Sequence, residues 1–368
     1  MTGATSDESD RKLHDDVVSG KAWNDFCDAL KSAGEMVLER SESDLDRAEG
    51  FRFLSRLMRG GLASFVEGGD IRHPIIKPLP DQVKIGSDNP DSAYMSCSID
   101  GRLNYKVTGN RGTVHYLSFS AFAGNYGAAQ ERLGVMGFID GSDLLIDENG
   151  NFELFVGPTP HDHNWVKTDP EPGMLAIRQF YLDRSTEILP TLRIECLDHD
   201  ELPPPLSPAQ FGRQLEGARM FVAGCSQMFT DWADELMDET PNGMHTKSGP
   251  AQGAWGDPNQ IFYHGSYDLA EGEALLIEFV PPECFYWNFQ VDNRWMESLD
   301  YRWLPVTVNK HTAHYEPDGS VKIVVSKEDP GFGNWMSTDG HPRGCIGLRW
   351  NQATEDVEPE FSVIRPFG

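Results

Sequence analysis

Long hydrophobic runs, basic charge, paired cysteines and nucleotide-binding motifs are all missing from this 368-residue chain. No apolar stretch approaches the roughly 18 residues of a membrane span, and 1-MTGATSDESDRKLHDD lacks the apolar core of a signal peptide. Lys and Arg number 31 against 58 Asp and Glu, a formal charge of −27. Nucleic acids and anionic membranes need a basic surface, so both are excluded as partners. The six cysteines (Cys27, Cys97, Cys196, Cys225, Cys284, Cys345) are scattered without a C-x-x-C, several inside apolar runs such as 221-FVAGC. They read as reduced core residues, which implies a cytosolic, reducing compartment rather than a disulfide scaffold. There is no G-x-x-x-x-G-K-[ST], no G-x-G-x-x-G after a strand and no G-x-S-x-G. No cofactor is therefore implied. Metal ligands are also unmarked. His161-Asp162-His163 lies in a loop after Pro160, and His311 and His314 are three apart, which on a strand sends them to opposite faces.

What is present is enough for a core: 39% hydrophobic residues, with 20 Phe, 10 Tyr and 9 Trp. Residues 1–16 read as a solvated, disordered tail. Residues 17–90 read as a helical segment and loop, in which Trp23, Phe26, Leu30, Ala33 and Val37 share one helical face. Leu45, Phe51, Leu54, Met58, Leu62 and Phe65 share a second, which Gly60-Gly61 weakens near its end. From residue 91 to about 200 the period becomes two, in short runs such as 93-AYMSCSID, 103-LNYKV, 113-TVHYLSF, 143-DLLI, 152-FELFV and 174-MLAIRQFYL. A helical insertion and loop follow over 201–258, opened by Ser207 as cap and Pro208 at the first helical position. Strands return over 259–368, among them 261-IFYHGSY, 273-EALLIEFV, 284-CFYWNFQV, 311-HTAHYE, 320-SVKIVVS and 344-GCIGLRW.

The two β-regions overlay. Asn164-Trp165 and Asn334-Trp335 differ by 170 positions, and Thr168-Asp169 meets Thr338-Asp339 at the same offset, as do Tyr116 and Tyr286. The arginine-bearing strands 175-LAIRQFY and 345-CIGLRW align with a one-residue gap. The expected fold is mainly β with α additions: two related jelly-roll-like β-sandwich units, separated by a helical insertion and preceded by a helical segment.

Three stretches of the C-terminal half, 285-FYWNFQVDNRWMESLDYR, 309-NKHTAHYEPDG and 328-EDPGFGNWMSTDGHPRGCIGLRW, are similar to the bacterial domain family of unknown function labelled DUF1214. The upstream stretch 88-DNPDSAYMSCSIDGRLNYKVTGNRG resembles N-terminal portions of longer relatives. One departure is Ser337, where relatives carry a carboxylate; Asp339 stands two positions on. The resemblance implies a jelly-roll-like β architecture and no reaction.

A catalytic group is rarely needed twice, so the shared Asn-Trp pair reads first as scaffold, and attention turns to what one copy has alone. His341, His311, Asn309, Trp295 and Asp300 are specific to the second copy. An imidazole near a carboxylate can take and give a proton around neutrality. His341 is the expected acid or base, His311 its partner and Asp300 the orienting carboxylate. Alternation puts Arg349 opposite the apolar face of its strand, either as a solvated side chain or as an anion clamp. Tyr286, Trp295, Asn309, Asn334 and Trp335 are candidate substrate contacts. The resulting expectation is a cofactor-independent lyase or hydrolase acting on a small hydrophobic or aromatic substrate. The alternative is a non-catalytic ligand-binding protein, or a homo-oligomer built from the duplicated sandwiches.

Overall fold

The structure, a computed structural model, describes residues 3–80, 83–124, 134–239, 241–246, 251 and 256–366. Helix α1 (Gly3–Val18) occupies the stretch expected to be a disordered tail. Its sequence is polar, but it has a place to dock. Leu13 and Val17, one turn apart, lie against Gly212, and Asp10 pairs with Arg213. Helix α2 is Lys21–Arg40 and α3 is Asp44–Gly61. A capping box opens α3: the Ser43 hydroxyl accepts from the Asp46 N–H at 3.1 Å, and the Asp46 carboxylate accepts from the Ser43 N–H at 3.0 Å. The buried face of α3 carries Phe53, Leu54 and Leu57, whereas Phe51 is 44% exposed. Gly60 and Gly61 stand at the end of α3, as expected, and also mark a close approach, since a side chain on Gly61 would meet the Ala218 carbonyl at 3.2 Å. A π-helical stretch, Leu62–Glu67, follows.

The first β-unit has strands β1 (Lys77–Pro78), β2 (Ser92–Asp100), β3 (Tyr105–Asn110), β4 (Tyr116–Ala123), β5 (Gly134–Asp140), β6 (Asn151–Gly157), β7 (Trp165–Lys167), β8 (Pro172–Phe180) and β9 (Thr191–Cys196). They form two sheets, β1-β2-β8-β4-β5 and β7-β6-β3-β9. A core including Ile99, Phe119, Ile177, Val107, Leu154 and Ile194 lies between the two sheets. Helix α4 (Pro208–Glu239) comes next, with Ser207 accepting from the Gln210 N–H at its start. The second β-unit has β10 (Gly243–Thr246), β11 (Gln260–Asp268), β12 (Ala274–Phe279), β13 (Tyr286–Asp292), β14 (Thr307–Asn309), β15 (Val321–Ser326), β16 (Asn334–Ser337), β17 (Arg343–Asn351) and β18 (Glu360–Ile364). Its sheets are β10-β11-β17-β13-β14 and β16-β15-β12-β18. Strand for strand, this is the order of the first unit, including the parallel pairs β6·β7 and β15·β16. The fold is the expected pair of related sandwiches with helical additions.

Local readings differ in places. Residues 143–146 and 311–314 are not strands. Around the first, the Asp140 carboxylate accepts from Ser142. Before the second, Asn309 accepts from the N–H groups of His311 and Thr312, at 2.9 and 3.0 Å, and curls the chain. Contacts divide the chain into two units at points other than the strand boundaries. The first holds 1–83, 93–180 and 187–227; the second holds 84–92, 181–186 and 228–368. Residues 84–92, expected to close the N-terminal segment, thus belong with the second sandwich. Among the described residues, no helix is long and apolar enough to cross a membrane.

Candidate functional site

The duplicated Asn-Trp pair does the same work twice. Asn334 accepts from the His314 N–H and donates to the carbonyls of His314 and Lys322; Asn164 accepts from the Leu145 N–H and donates to those of Leu145 and Glu153. The Trp335 indole donates to the Ser326 carbonyl, as Trp165 donates to that of Gly157. Each pair ties a short parallel edge strand to its neighbour. Asn334→Ala should therefore cost about 2 kcal/mol of stability by stranding backbone groups, with turnover by the folded fraction unchanged. Urea unfolding beside an activity assay checks this. Loss of activity at full stability would return Asn334 to the substrate contacts.

Buried polar side chains collect on one face of the sheet β10-β11-β17-β13-β14. Alternate residues of a strand share a face. On one side Trp287, Phe289, Ile346, Leu348 and Trp350 enter the sandwich core. On the other, β13 presents Tyr286, Asn288, Gln290 and Asp292, all 0% exposed. In register beside them, β17 presents Asn351, Arg349, Gly347 and Cys345, and β11 adds Gln260, Phe262, His264 and Ser266. This polar face is buried as thoroughly as the apolar one. Residues 84–92 supply part of the cover, and so do the last turns of α4, where the Leu236 carbonyl accepts from Ser266 and Trp232 lies 5.1 Å from the His264 ring.

The centre of the face is one connected network. Arg349 donates to Gln290 Oε1 at 2.6 Å and to the Ser87 carbonyl. Gln290 Nε2 donates to Asp292 Oδ1 at 2.6 Å and to the Asp88 carbonyl at 2.8 Å. Gly347 lies between His264 and Gln290 in register, and its missing side chain leaves room for the Ser87 hydroxyl. Burial pushes the Asp292 carboxyl up to about 7 and the nearby Asp88 charge adds to this; the Ser87 hydroxyl, Gln290 and Arg349 oppose it. Among the described residues, the buried polar atoms without a hydrogen-bond partner include four on this face of β13 and β17: Asp292 Oδ2, Asn288 Oδ1, and both amide atoms of Asn351. Unpartnered buried groups of this kind are costly, so each calls for an explanation. Nearby, Tyr286 donates to Asp91 at 2.7 Å, and Asn309 donates to the same carboxylate oxygen at 3.0 Å. Burial raises the Asp91 pKa, against these two donors.

The first copy carries the same face with different groups on it. Ser118 pairs with Arg178 as Asn288 pairs with Arg349, and Tyr116 pairs with Phe180 as Tyr286 pairs with Asn351. The two arginines are thus structural counterparts. Ser120 and Phe122 stand where the second copy has Gln290 and Asp292. Tyr116 stacks on Phe180 at 4.6 Å, and Arg178 lies over the Phe122 ring at 5.5 Å. Duplication kept the arginine, and Phe122 stands where the second copy has Asp292.

The expected histidine pair is separated. His341 is 2% exposed and closes the turn before β17, its N–H donating to the Thr338 carbonyl. His311 is exposed and follows Asn309, which reaches Arg349 in register through Asn288. The six strand steps from Arg343 to Arg349 alone span about 20 Å, so the two imidazoles stand at opposite ends of the sheet. Asp300 is gripped by Arg302, at 2.8 and 2.7 Å, which holds its carboxyl down at about 2, and it orients neither histidine. Trp295 is fully buried beneath Arg294, whose guanidinium pairs with Asp234 at 2.9 Å. Tyr286, Asn309 and Arg349 remain at the polar face, and Arg349 is a buried group rather than a solvated one. Ser87, Gln290 and Asp292 were missed. For Gln290 and Asp292 the signal lay in the strict alternation of polar residues in 286-YWNFQVD.

These features define a class: a duplicated β-sandwich protein in which one sheet face of the second sandwich buries a connected polar network. The chain belongs to the same family as a protein from Burkholderia cenocepacia, described only as uncharacterized. Their identity is 40% over 96% of this chain and 99% of that one, and the TM-score with its crystal structure is 0.92. The VPA0106 protein from Vibrio parahaemolyticus is far more distant, at 11% identity over 85% of this chain and 96% of that one, with a TM-score of 0.47. No protein-family model and no curated protein matches the chain.

Proposed function

We propose that the polar face of the second sandwich is the active site of a cofactor-independent hydrolase or lyase acting on a small hydrophobic or aromatic substrate. Asp292 takes and gives the proton, Arg349 holds the charge that develops on substrate oxygen, and Asn288 and Asn351 bind the substrate's polar end. The observation that carries this reading is Asp292: a fully buried carboxyl with one oxygen unpartnered, poised near neutrality and joined through Gln290 to an arginine. Phe262, whose ring lies 5.9 Å from the Arg349 guanidinium, supplies an apolar wall. The DUF1214 resemblance belongs to the same reading, since the segments that carry it include β13 and β17, two of the strands that build this face. A reducing compartment such as the cytosol suits six free thiols.

The test is untargeted metabolite profiling of a cell extract incubated with wild-type protein or with Asp292→Asn. Wild type should deplete a small acyl or aromatic compound at least 100-fold faster than the variant. Equal depletion by both would remove Asp292 from the chemistry. An unchanged compound retained by the protein would mark a binding protein instead.

A further inference from the structure

Ser87 is the most constrained side chain of the site, and acid–base chemistry alone gives it no task. It is 2% exposed, yet its φ is +58°, in a left-handed region that residues other than glycine rarely occupy. Gly86 before it has φ +60°, and the Phe229 ring packs so closely that a side chain on Gly86 would meet it at 2.3 Å. The Ser87 N–H donates to the Met296 carbonyl at 2.6 Å, and its carbonyl accepts from Arg349. Backbone held this firmly in an unfavoured conformation is characteristic of functional sites. Its effect here is to set the Ser87 hydroxyl on Gly347, where a side chain in place of the glycine hydrogen would lie 2.9 Å from Oγ. At that point Gln290 Nε2 is 3.3 Å from Oγ and Arg349 Nη2 is 3.4 Å from it. The hydroxyl is also close enough to the Asp292 carboxyl to favour its ionised form.

We propose that Ser87 is the nucleophile of this site and that its substrate is a carboxylic ester or similarly activated acyl compound. The inference rests on the proposed function and names its substrate class. Ser87 Oγ attacks the acyl carbon, forming the O–C bond, while its proton passes to the Asp292 carboxylate. The carbonyl π pair moves onto oxygen, where the Arg349 guanidinium faces it. Collapse of the tetrahedral species breaks the bond to the leaving group, which departs with the proton from Asp292. Water then attacks the acyl-serine and gives a proton to Asp292. The acid is released as Ser87 regains its proton, and no oxidant, metal or cofactor enters the balance. From Gly347 to Asn351 is four strand steps, about 13 Å. The acyl compound therefore has a far end bearing a neutral group that both donates and accepts hydrogen bonds, such as an amide or a hydroxyl, to satisfy Asn288 and Asn351.

The experiment is labelling of the purified full chain with diisopropyl fluorophosphate, read by intact mass and peptide mapping, beside turnover of a panel of p-nitrophenyl acyl esters. Ser87→Gly is the variant of choice, because glycine accepts φ +58° and the fold keeps its melting temperature. The expected result is one adduct, on the peptide containing Ser87. It should be absent from Ser87→Gly, form at least 100-fold more slowly in Asp292→Asn, and be accompanied by a thousandfold or greater loss of ester turnover in Ser87→Gly. An unlabelled wild type, or an adduct at another residue, overturns the proposal. Turnover kept by Ser87→Gly but lost by Asp292→Asn also overturns it and leaves the acid–base reading standing. Turnover kept by both variants overturns both.

Discussion

Replacing Asp292 with asparagine should make the protein more stable at pH 8 and no more stable at pH 4. The carboxyl ionises near 3.8 in the unfolded chain and at about 7 in the folded one. Below both values it is protonated in both states and contributes nothing to the pH dependence. Between them the folded state holds a proton that the unfolded state has released, so stability falls as pH rises through this window. Above about 7 the full cost of a buried charge is present, roughly 4 kcal/mol for a shift of about three units. The amide has no such charge to bury. It keeps an oxygen to accept from Gln290, and its nitrogen replaces Oδ2, which has no partner among the described residues. Urea unfolding of both proteins from pH 4 to pH 8 measures the difference. A gap that does not change across that range would show that the folded carboxyl titrates normally. Stability and activity then move in opposite directions, because the proposed proton carrier is the group that destabilises the fold.

Arg349→Met should cost about 3 kcal/mol, while Arg302→Met should cost less than about 1 kcal/mol. Both arginines make short polar contacts, and burial decides between them. Arg349 is 4% exposed, and its loss leaves the Ser87 carbonyl without its guanidinium donor and Gln290 Oε1 without its 2.6 Å contact. A buried acceptor left in that state bears its whole desolvation penalty. The Arg302–Asp300 fork has side chains 50% and 39% exposed, so water replaces it cheaply. Chemical denaturation of the two variants at pH 7 provides the comparison. Equal losses would mean that the Arg349 network is solvated and could not serve as an electrostatic site.

The duplication is legible from residues that carry scaffold. Asn164-Trp165 and Asn334-Trp335 recur at a common offset, and the hydrogen bonds they make are the same in both sandwiches. The strand arginines were legible as counterparts too, because β8 and β17 alternate cleanly. The catalytic residues expected from type alone fared differently. His341 and His311 are close in sequence, but the intervening strands carry them to opposite ends of the sheet. Asp300 is taken by Arg302 two residues away, a local pairing with little sequence signature of its own.

Composition, period and repeat by themselves determined the fold class, the doubled sandwich, the helical insertion and the scaffold role of the Asn-Trp pair, because each is set by local propensity or by a pattern copied along the chain. Only the tertiary structure decided where chemistry can occur. Arg349 and Ser87 are 262 positions apart and touch, and both faces of the β13–β17 sheet are buried, so the alternation that marked one face as core could not reveal that the other also leaves solvent. Burial is a property of what covers a face. Here the cover includes residues 84–92 and the last turns of α4, and no pattern within the strands themselves encodes it.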